Sequence, residues 1–257
     1  MRAHGREDLG LAAGHLDRVR HRPIIADQVL GERGSLDGVT AIAPRPGRAL
    51  LPPGLRAPAA AVSVLAVLVF GFFAARYADD SSAGRLDRHV ERLVDDGPSL
   101  PGAVVFLGNP ITVAVLAVLL AVLAFALGHR RLAVLAIVGP GLTGVATTAL
   151  KPLVGRTIDG GLAFPSGHTG GATALGVVAA LLLIAVLRTA TGISALLIAA
   201  GALVSGGVMA LALVSDRIHY PTDTVGGFCV AVAVVLTSAL VIERWPSMGR
   251  RIARGPS

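Results

Sequence analysis

The sequence predicts an all-α integral membrane protein, a bundle of six transmembrane helices with a functional site at the outer membrane face. Of its 257 residues, 53% are hydrophobic and only 15% are charged, whereas a soluble domain carries about 25% charged residues. The apolar residues are also concentrated in blocks. Windows without any charged residue cover 57–75, 111–127, 132–150, 170–187, 193–214 and 224–242. Each is close to the ~17–25 residues that a helix needs to cross the hydrocarbon core.

These windows divide the chain into three regions. Residues 1–56 are polar, rich in glycine, proline and arginine, and lack a sustained apolar period, so we expect a disordered cytoplasmic tail and linker. This segment does not resemble a signal peptide, because no short apolar core with a cleavage site stands at its start. Residues 57–243 form the predicted six-span domain, and residues 244–257 form a basic cytoplasmic tail.

The distribution of lysine and arginine predicts the orientation. With the N-terminal tail inside, sixteen of the 23 basic residues lie on the inner side and seven on the outer side. The positive-inside rule therefore places both termini in the cytoplasm of a multi-pass plasma-membrane protein. In the outer segment 76–110, Leu86, Val90, Leu93 and Val94 recur at helical spacing. They predict an amphipathic helix, which lies either on the membrane interface or on the rim of the bundle.

The positive net charge of +7 does not indicate a nucleic-acid partner. Basic residues that flank membrane spans serve as an orientation signal, and no basic surface interleaved with aromatic residues is evident. The single cysteine, Cys229, lies inside the last window and excludes an internal disulfide. Nothing in the sequence assigns an oligomeric state.

Three polar clusters converge on one edge of the predicted bundle. They are KPLVGRT (151–157), FPSGHT (164–169) and SDRIHYPTD (215–223). Six spans bring all three to the outer edge, whereas the connections at the inner edge, GHRR and RTATG, resemble ordinary basic tethers. This asymmetry is the main reason to expect a site at the outer face.

The first two clusters offer groups that bind an anion. Ser166, Gly167 and His168 open a predicted helix, whose unpaired N–H groups and dipole favour negative charge. Ser166 either caps that helix or donates to an oxyanion. Lys151 is the only lysine in the chain, and it either snorkels to the interface or binds an anion. Arg156 can complete a two-cation clamp on a phosphate.

The third cluster offers a nucleophile. His219 and Asp223 are four residues apart, which places them on one helical face, and Pro221 suits the first turn. The carboxylate can hold one imidazole nitrogen and leave the other free to attack. His168 is then the acid that protonates the leaving oxygen. This set predicts phosphoryl transfer through a phosphohistidine and requires no metal and no other cofactor.

At these residues the chain resembles the type 2 phosphatidic acid phosphatase family, the membrane relatives of the vanadium haloperoxidases. The family's Pro-Ser-Gly-His motif stands intact at 165–168, and the end of its third motif stands at 219–223. The resemblance covers about residues 57–242. It implies a six-span fold with an outward site and metal-independent hydrolysis of a lipid phosphate or diphosphate, with His219 as nucleophile and His168 as acid.

The chain departs from the family pattern at two places. It has isoleucine and aspartate at 158–159 where the family has Arg-Pro, and alanine and leucine at 212–213 where the family has Ser-Arg. Arg156 and Arg217 each lie within two residues of a motif element. We therefore expect these two arginines to take over the phosphate contacts.

The predicted function is that of an integral membrane lipid phosphatase or diphosphatase. Its predicted partners are the lipid bilayer and a membrane lipid phosphate: polyprenyl diphosphate, phosphatidic acid or phosphatidylglycerol phosphate. Alternatives are a lipid phosphotransferase of the same fold, a non-catalytic family member, and a transporter-like six-span protein. Ionisable residues of transporters tend to lie within the spans, but here the middles of the spans carry no charge. The complete set of His168, His219 and Asp223 argues against a non-catalytic member.

Overall fold

The computed structural model describes residues 49–95 and 102–244. The predicted N-terminal tail (except for residues 49–56), segment 96–101 and the C-terminal tail beyond Arg244 lie outside the described residues. The helices are α1 (Arg56–Arg76), α2 (Arg85–Asp95), α3 (Ala103–Leu107), α4 (Pro110–Ala126), α5 (Arg130–Val154), α6 (Gly167–Leu187), α7 (Thr191–Ser215) and α8 (Pro221–Arg244). A 3₁₀ turn (Pro53–Leu55) precedes α1. In this part of the chain the only sheet is an antiparallel hairpin of β1 (Thr157–Ile158) and β2 (Gly161–Leu162).

Five of these helices, α1, α5, α6, α7 and α8, are long and apolar enough to cross a membrane. The chain is therefore a multi-pass membrane protein, as the apolar windows predicted. The sixth window corresponds to α4, which has 17 residues. At ~1.5 Å per residue it is slightly shorter than a ~30 Å hydrocarbon core. The Asn109 side chain caps its start, and Gly128 (φ +79°) follows its end.

Small residues let the helices at the centre of the bundle approach closely. Helix α6 packs against α4, α5, α7 and α8, and α8 also packs against α1 and α5. A Cβ on Gly176 of α6 would lie 2.2 Å from the Gly201 carbonyl oxygen of α7. Only residues without a side chain fit such a contact, as is common between membrane helices.

The helix ends meet at two opposite ends of the bundle. At one end, the Glu243 carboxylate near the end of α8 accepts hydrogen bonds from the amide of Leu50 and from Arg56 at the start of α1, both at 2.8 Å. At the other end, the Asp79 amide just after α1 donates to the Val154 carbonyl at the end of α5 (2.8 Å). We call this second end, where α6 and α8 begin, the site end.

Helix α2 covers part of the site end. It is the amphipathic helix that the sequence predicted, and it packs on the rim of the bundle against α7 and α8. Leu86 and Leu93 are 48% and 64% exposed, whereas the side chain of Asp87 is fully buried. The inward face of α2 therefore presents a carboxylate to the site end.

Candidate active site

His219 and Asp223 come together at the start of α8, as their spacing predicts. Pro221 is the first residue of that helix. His219 Nδ1 lies 3.5 Å from Asp223 Oδ2, and both side chains are buried. The same carboxylate oxygen accepts a hydrogen bond from the Tyr220 amide at 3.1 Å. The imidazole contact is longer than a hydrogen bond, and catalytic contacts of this length often shorten when substrate binds.

Ser166 caps helix α6, and His168 follows in its first turn. The Ser166 Oγ accepts from the amide of Thr169 at 3.3 Å, and the Ser166 side chain is fully buried. Its own amide donates to the Asp223 carbonyl at 2.9 Å. Of the two roles expected for Ser166, capping is therefore present, and donation to an oxyanion stays a prediction. Gly167 and His168 are half-buried, so they retain some accessible surface.

Backbone contact between α6 and α8 fixes the two histidines at one end. A Cβ on Gly227 of α8 would lie 2.1 Å from the Ser166 carbonyl oxygen. A Cβ on Gly170 of α6 would lie 3.3 Å from the Gly227 carbonyl oxygen. The N-terminal parts of the two helices therefore touch at Ser166, Gly170 and Gly227 without intervening side chains. His168 in the first turn of α6 and His219 just before α8 therefore lie at the same end of the bundle.

Lys151 lies in the last turn of α5, and its side chain reaches the β1–β2 hairpin at the site end. Its Nζ donates to the carbonyl oxygen of Leu162 in β2 at 2.8 Å, and the side chain is half-buried. Its charge interacts with those of His168 and Asp223. Lys151 therefore adds positive charge near His168 and Asp223.

Arg156 occupies a different environment from the one predicted. Its side chain is fully buried. Nη1 donates to Asp223 Oδ1 (2.7 Å) and to Thr222 Oγ1 (2.5 Å), and Nη2 donates to an oxygen of Asp87 (2.7 Å). The guanidinium carbon lies 4.2 Å from the ring centre of Tyr77 and 4.5 Å from that of Tyr220. A two-cation clamp with Lys151 would require Arg156 to leave these contacts, so phosphate binding by Arg156 stays a prediction.

Arg217 lies at the surface and pairs with α2. Its backbone is left-handed (φ +54°) in the turn between α7 and α8. The side chain is 75% exposed, and Nη2 lies 2.8 Å from a carboxylate oxygen of Asp95. Such an exposed pair is weak, so Arg217 can exchange Asp95 for another anion. Its contact with phosphate also stays a prediction.

The residues that form this arrangement match a known family model. Residues 143–246 match the model of the PAP2 superfamily. The chain carries a PAP2 superfamily domain. The matched range contains every residue predicted for the site, so the family resemblance in the sequence is confirmed. PAP2 proteins are generally metal-independent phosphatases, and membership therefore suggests phosphatase activity. Comparison with curated proteins and with solved structures gives no match.

Asp87 lies outside the matched PAP2 range but reaches into the site, and sequence reasoning missed it. Its Oδ1 accepts from the amide and hydroxyl of Thr222, at 3.0 and 2.8 Å. Its Oδ2 accepts from the amide of Gly84 at 3.0 Å, in addition to Arg156. We call Asp87, Arg156, Thr222 and Asp223 the acid–arginine cluster. The signal in the sequence was an acid on the same helical face as Val90 and Val94.

Other ionisable groups of α2 and of the α7–α8 turn lie around the acid–arginine cluster. Burial raises the pKa of the Glu91 carboxyl, the charge of Asp87 raises it further, and Arg217 acts in the opposite direction. Burial also raises the pKa of the Tyr220 phenol, against the effect of Arg156. The phenol therefore stays protonated at neutral pH, and its hydroxyl lies 3.5 Å from the Ser81 carbonyl oxygen.

Within the described ranges, no group of three or more histidine, cysteine, aspartate or glutamate side chains is arranged to hold a metal ion. The metal-independent reaction stays a prediction from the sequence.

Proposed function

We propose that this protein is a membrane lipid phosphatase or diphosphatase that acts through a phosphohistidine intermediate. The observation that carries the proposal is that His219 Nδ1 lies 3.5 Å from Asp223 Oδ2 at the start of α8, while His168 lies in the first turn of α6, which packs against α8. A nucleophile, its orienting carboxylate and a second histidine are the groups that this chemistry needs. The PAP2 match supports the same reaction class.

The geometry suggests a role for each side chain. Because Asp223 lies beside Nδ1 of His219, the proton stays on Nδ1 and Nε2 is free to attack phosphorus. A bond forms between Nε2 and phosphorus while the bond to the leaving oxygen breaks, and His168 gives that oxygen a proton. His168, now neutral, then accepts a proton from water as the water attacks the phosphohistidine. Phosphate leaves, and both histidines return to their starting states.

Positive charge near these histidines favours an anionic substrate. Lys151 is beside His168, and the N-terminus of α6 at Gly167 provides backbone N–H groups and the positive end of its dipole. Arg217 is a further cation that we propose for the phosphate. These groups can bind the phosphate oxygens and offset the charge that develops on them.

An apolar cavity beside His168 favours a lipid as the substrate. The cavity has a volume of about 510 Å³ and lies between α3, α4, α6 and α7. On α6 its walls include Ala172, Leu175 and Ala179, which follow His168 along one helical face. A Cβ on Gly108 would lie 2.9 Å both from His168 and from Met209 of the cavity wall. A lipid whose phosphate is held at His168 can therefore extend its apolar tail into this space.

The connections support a six-span topology with α4 as the second span. Helix α1 ends at the site end, next to the end of α5, so the chain must return to the opposite end before α5 begins. Helix α4 starts just after Gly108, which contacts His168, and it is followed directly by α5. It therefore runs the depth of the bundle. With the excess of basic residues on the inner side, we propose that the site faces outside and both termini are cytoplasmic.

Phosphate release by the detergent-purified protein tests the proposal. The panel contains polyprenyl diphosphate, phosphatidic acid and phosphatidylglycerol phosphate, each with EDTA present. We expect metal-independent release that is lost in His219→Ala and kept in the control His89→Ala, whose side chain is exposed on α2. The ranking of rates identifies the lipid.

Either of two results would overturn the proposal: no release from any lipid by folded protein, or equal release by His219→Ala. Transfer of the phosphate to an added lipid alcohol, in place of release, would assign a phosphotransferase.

A further inference from the structure

We propose that Asp87 and Arg156 form a buried relay that positions Asp223 toward His219, so that Arg156 serves the reaction through Asp223 and not by binding phosphate. The inference rests on the proposed function, because it assigns positioning residues to the same reaction. It adds a residue of α2, outside the PAP2 match, to the machinery of the site.

Arg156 fixes the orientation of the Asp223 carboxylate. Nη1 of Arg156 holds Oδ1 of Asp223 at 2.7 Å. The other oxygen, Oδ2, accepts from the Tyr220 amide at 3.1 Å and lies 3.5 Å from Nδ1 of His219. With one oxygen fixed by the guanidinium, the carboxylate cannot rotate its second oxygen away from the imidazole without losing a charge-assisted hydrogen bond.

Asp87 fixes both Arg156 and the backbone next to Asp223. One of its oxygens binds Nη2 of Arg156 at 2.7 Å, and the other binds the amide and hydroxyl of Thr222. Asp87, Arg156 and Asp223 have no exposed side-chain surface. The start of α8 is therefore held from α2 through side chain and backbone together.

The charge of the cluster also favours the reaction at His219. Two carboxylates share one guanidinium in this buried cluster, which leaves a net charge of −1. His219 lies beside it, and its Nδ1 is buried without a hydrogen-bond partner among the described residues. When Nε2 bonds to phosphorus, the imidazole ring becomes positively charged. An unbalanced negative charge at low dielectric stabilises that intermediate.

If the cluster only ties α2 to the bundle, folded Asp87→Asn should keep the kcat of the wild type, whereas the positioning role predicts a lower kcat. This substitution keeps the size of the side chain and leaves Arg156 paired with Asp223, so the cluster becomes neutral. The new amide NH2 also replaces one of the two oxygens that accept hydrogen bonds from Gly84, Arg156 and Thr222, so some of these bonds are lost with the charge. Loss of Arg156 would instead leave two buried carboxylates unpaired, which is far more destabilising. Asp87→Asn therefore changes the charge next to His219 with the smaller effect on folding.

The test compares full-length wild type, Asp87→Asn and the control Asp159→Asn in detergent. Asp159 is exposed in the β1–β2 turn with φ +49°, a conformation that asparagine also accepts. We measure kcat, KM and the rate of phosphoenzyme formation on the lipid that the panel identifies, together with the melting temperature. We expect Asp87→Asn to lower kcat about ten- to a hundredfold, as loss of outer-shell partners does at metal sites, with KM unchanged. Asp159→Asn should match the wild type.

Thr222→Val gives a second, uncharged perturbation if Asp87→Asn yields little folded protein. It removes the hydroxyl that binds both Asp87 (2.8 Å) and Arg156 (2.5 Å). We expect a lower kcat again, with unchanged KM.

The inference is overturned if the tested cluster variant keeps the kcat of Asp159→Asn, or if it raises KM alone, since that would place the cluster in substrate binding. An inactive wild type would overturn the proposed function, and the inference with it. An active wild type with unchanged variants overturns the inference alone.

Discussion

Gly227 is the point at which α8 contacts α6, and a single methyl group there should disturb the alignment of the two catalytic candidates. A Cβ on Gly227 would lie 2.1 Å from the Ser166 carbonyl oxygen, and real Cβ atoms essentially never come closer than 3.0 Å to another atom. The obstructing atom belongs to backbone, so no side chain can move aside. The start of α6 and the second turn of α8 must therefore separate by about 0.9 Å, the difference between these two distances.

That separation has a predictable effect on catalysis. The Ser166 amide donates to the Asp223 carbonyl at 2.9 Å in the same junction, and this hydrogen bond would be stretched or lost. His168 belongs to α6 and His219 directly precedes α8, so a separation of these helices moves the two histidines apart. A misplacement of about 1 Å costs on the order of a hundredfold in rate, which corresponds to roughly 2.7 kcal/mol in the activation free energy. We expect Gly227→Ala to lower kcat by about this factor.

The assay is phosphate release from the lipid that the panel identifies, with a melting curve for each variant. Gly144→Ala on α5 is the matched control, because its Cβ would have no atom within 4 Å. Alanine in place of a helical glycine usually stabilises a helix by about 0.5–1 kcal/mol, so this control should melt at or above the wild-type temperature. If Gly227→Ala keeps the wild-type melting temperature and a kcat within about threefold of wild type, the backbone contact does not set the histidine alignment.

Further predictions concern the surroundings of the same site. A Cβ on Gly108 would lie 2.9 Å from Cβ of His168; Gly108→Ala should therefore lower kcat, whereas Gly102→Ala at the other end of α3, with open space around it, should not. Because burial raises the pKa of Glu91 above its ordinary 4.5, its ionised form destabilises the fold at neutral pH. Glu91→Gln should raise the melting temperature at neutral pH and lose that advantage below pH 4.5, where Glu91 is protonated in both the folded and the unfolded state. Arg217→Ala should raise KM severalfold without a change in melting temperature, because its ion pair is exposed; an unchanged KM would remove Arg217 from the phosphate site.

The helices were predictable because membrane spans depend on local composition. The charge-free windows fall within α1, α5, α6, α7 and α8, and lipid permits few alternatives to a helix. The window 111–127 was predicted equally well in position, but its cap at Asn109 and the left-handed Gly128 limit α4 to 17 residues. Hydropathy alone does not show such end effects.

Local spacing also predicted part of the site. The four-residue interval brings His219 and Asp223 together, and Ser166 caps the helix that it precedes. The environment of Arg156 was not predictable in this way. Its partner Asp87 is 69 residues away in sequence, and only the tertiary contact of α2 with the α8 start brings the two together. A long-range ion pair of this kind has no local signature.

The displaced arginine changes how the site of this PAP2 domain is best tested. The chain lacks arginine at the two positions where the family has it, and Arg156, the nearest substitute in the first motif, is buried between two carboxylates. Its removal would unbalance those acids, so lost activity in Arg156→Ala cannot be assigned to a lost phosphate contact. Substitutions that remove one carboxylate separate the two roles, because a phosphate ligand and a positioning residue affect KM and kcat differently. In the proposed mechanism, Lys151, the α6 N-terminus and Arg217 bind the phosphate, while the structure shows Arg156 bound to Asp223 at 2.7 Å.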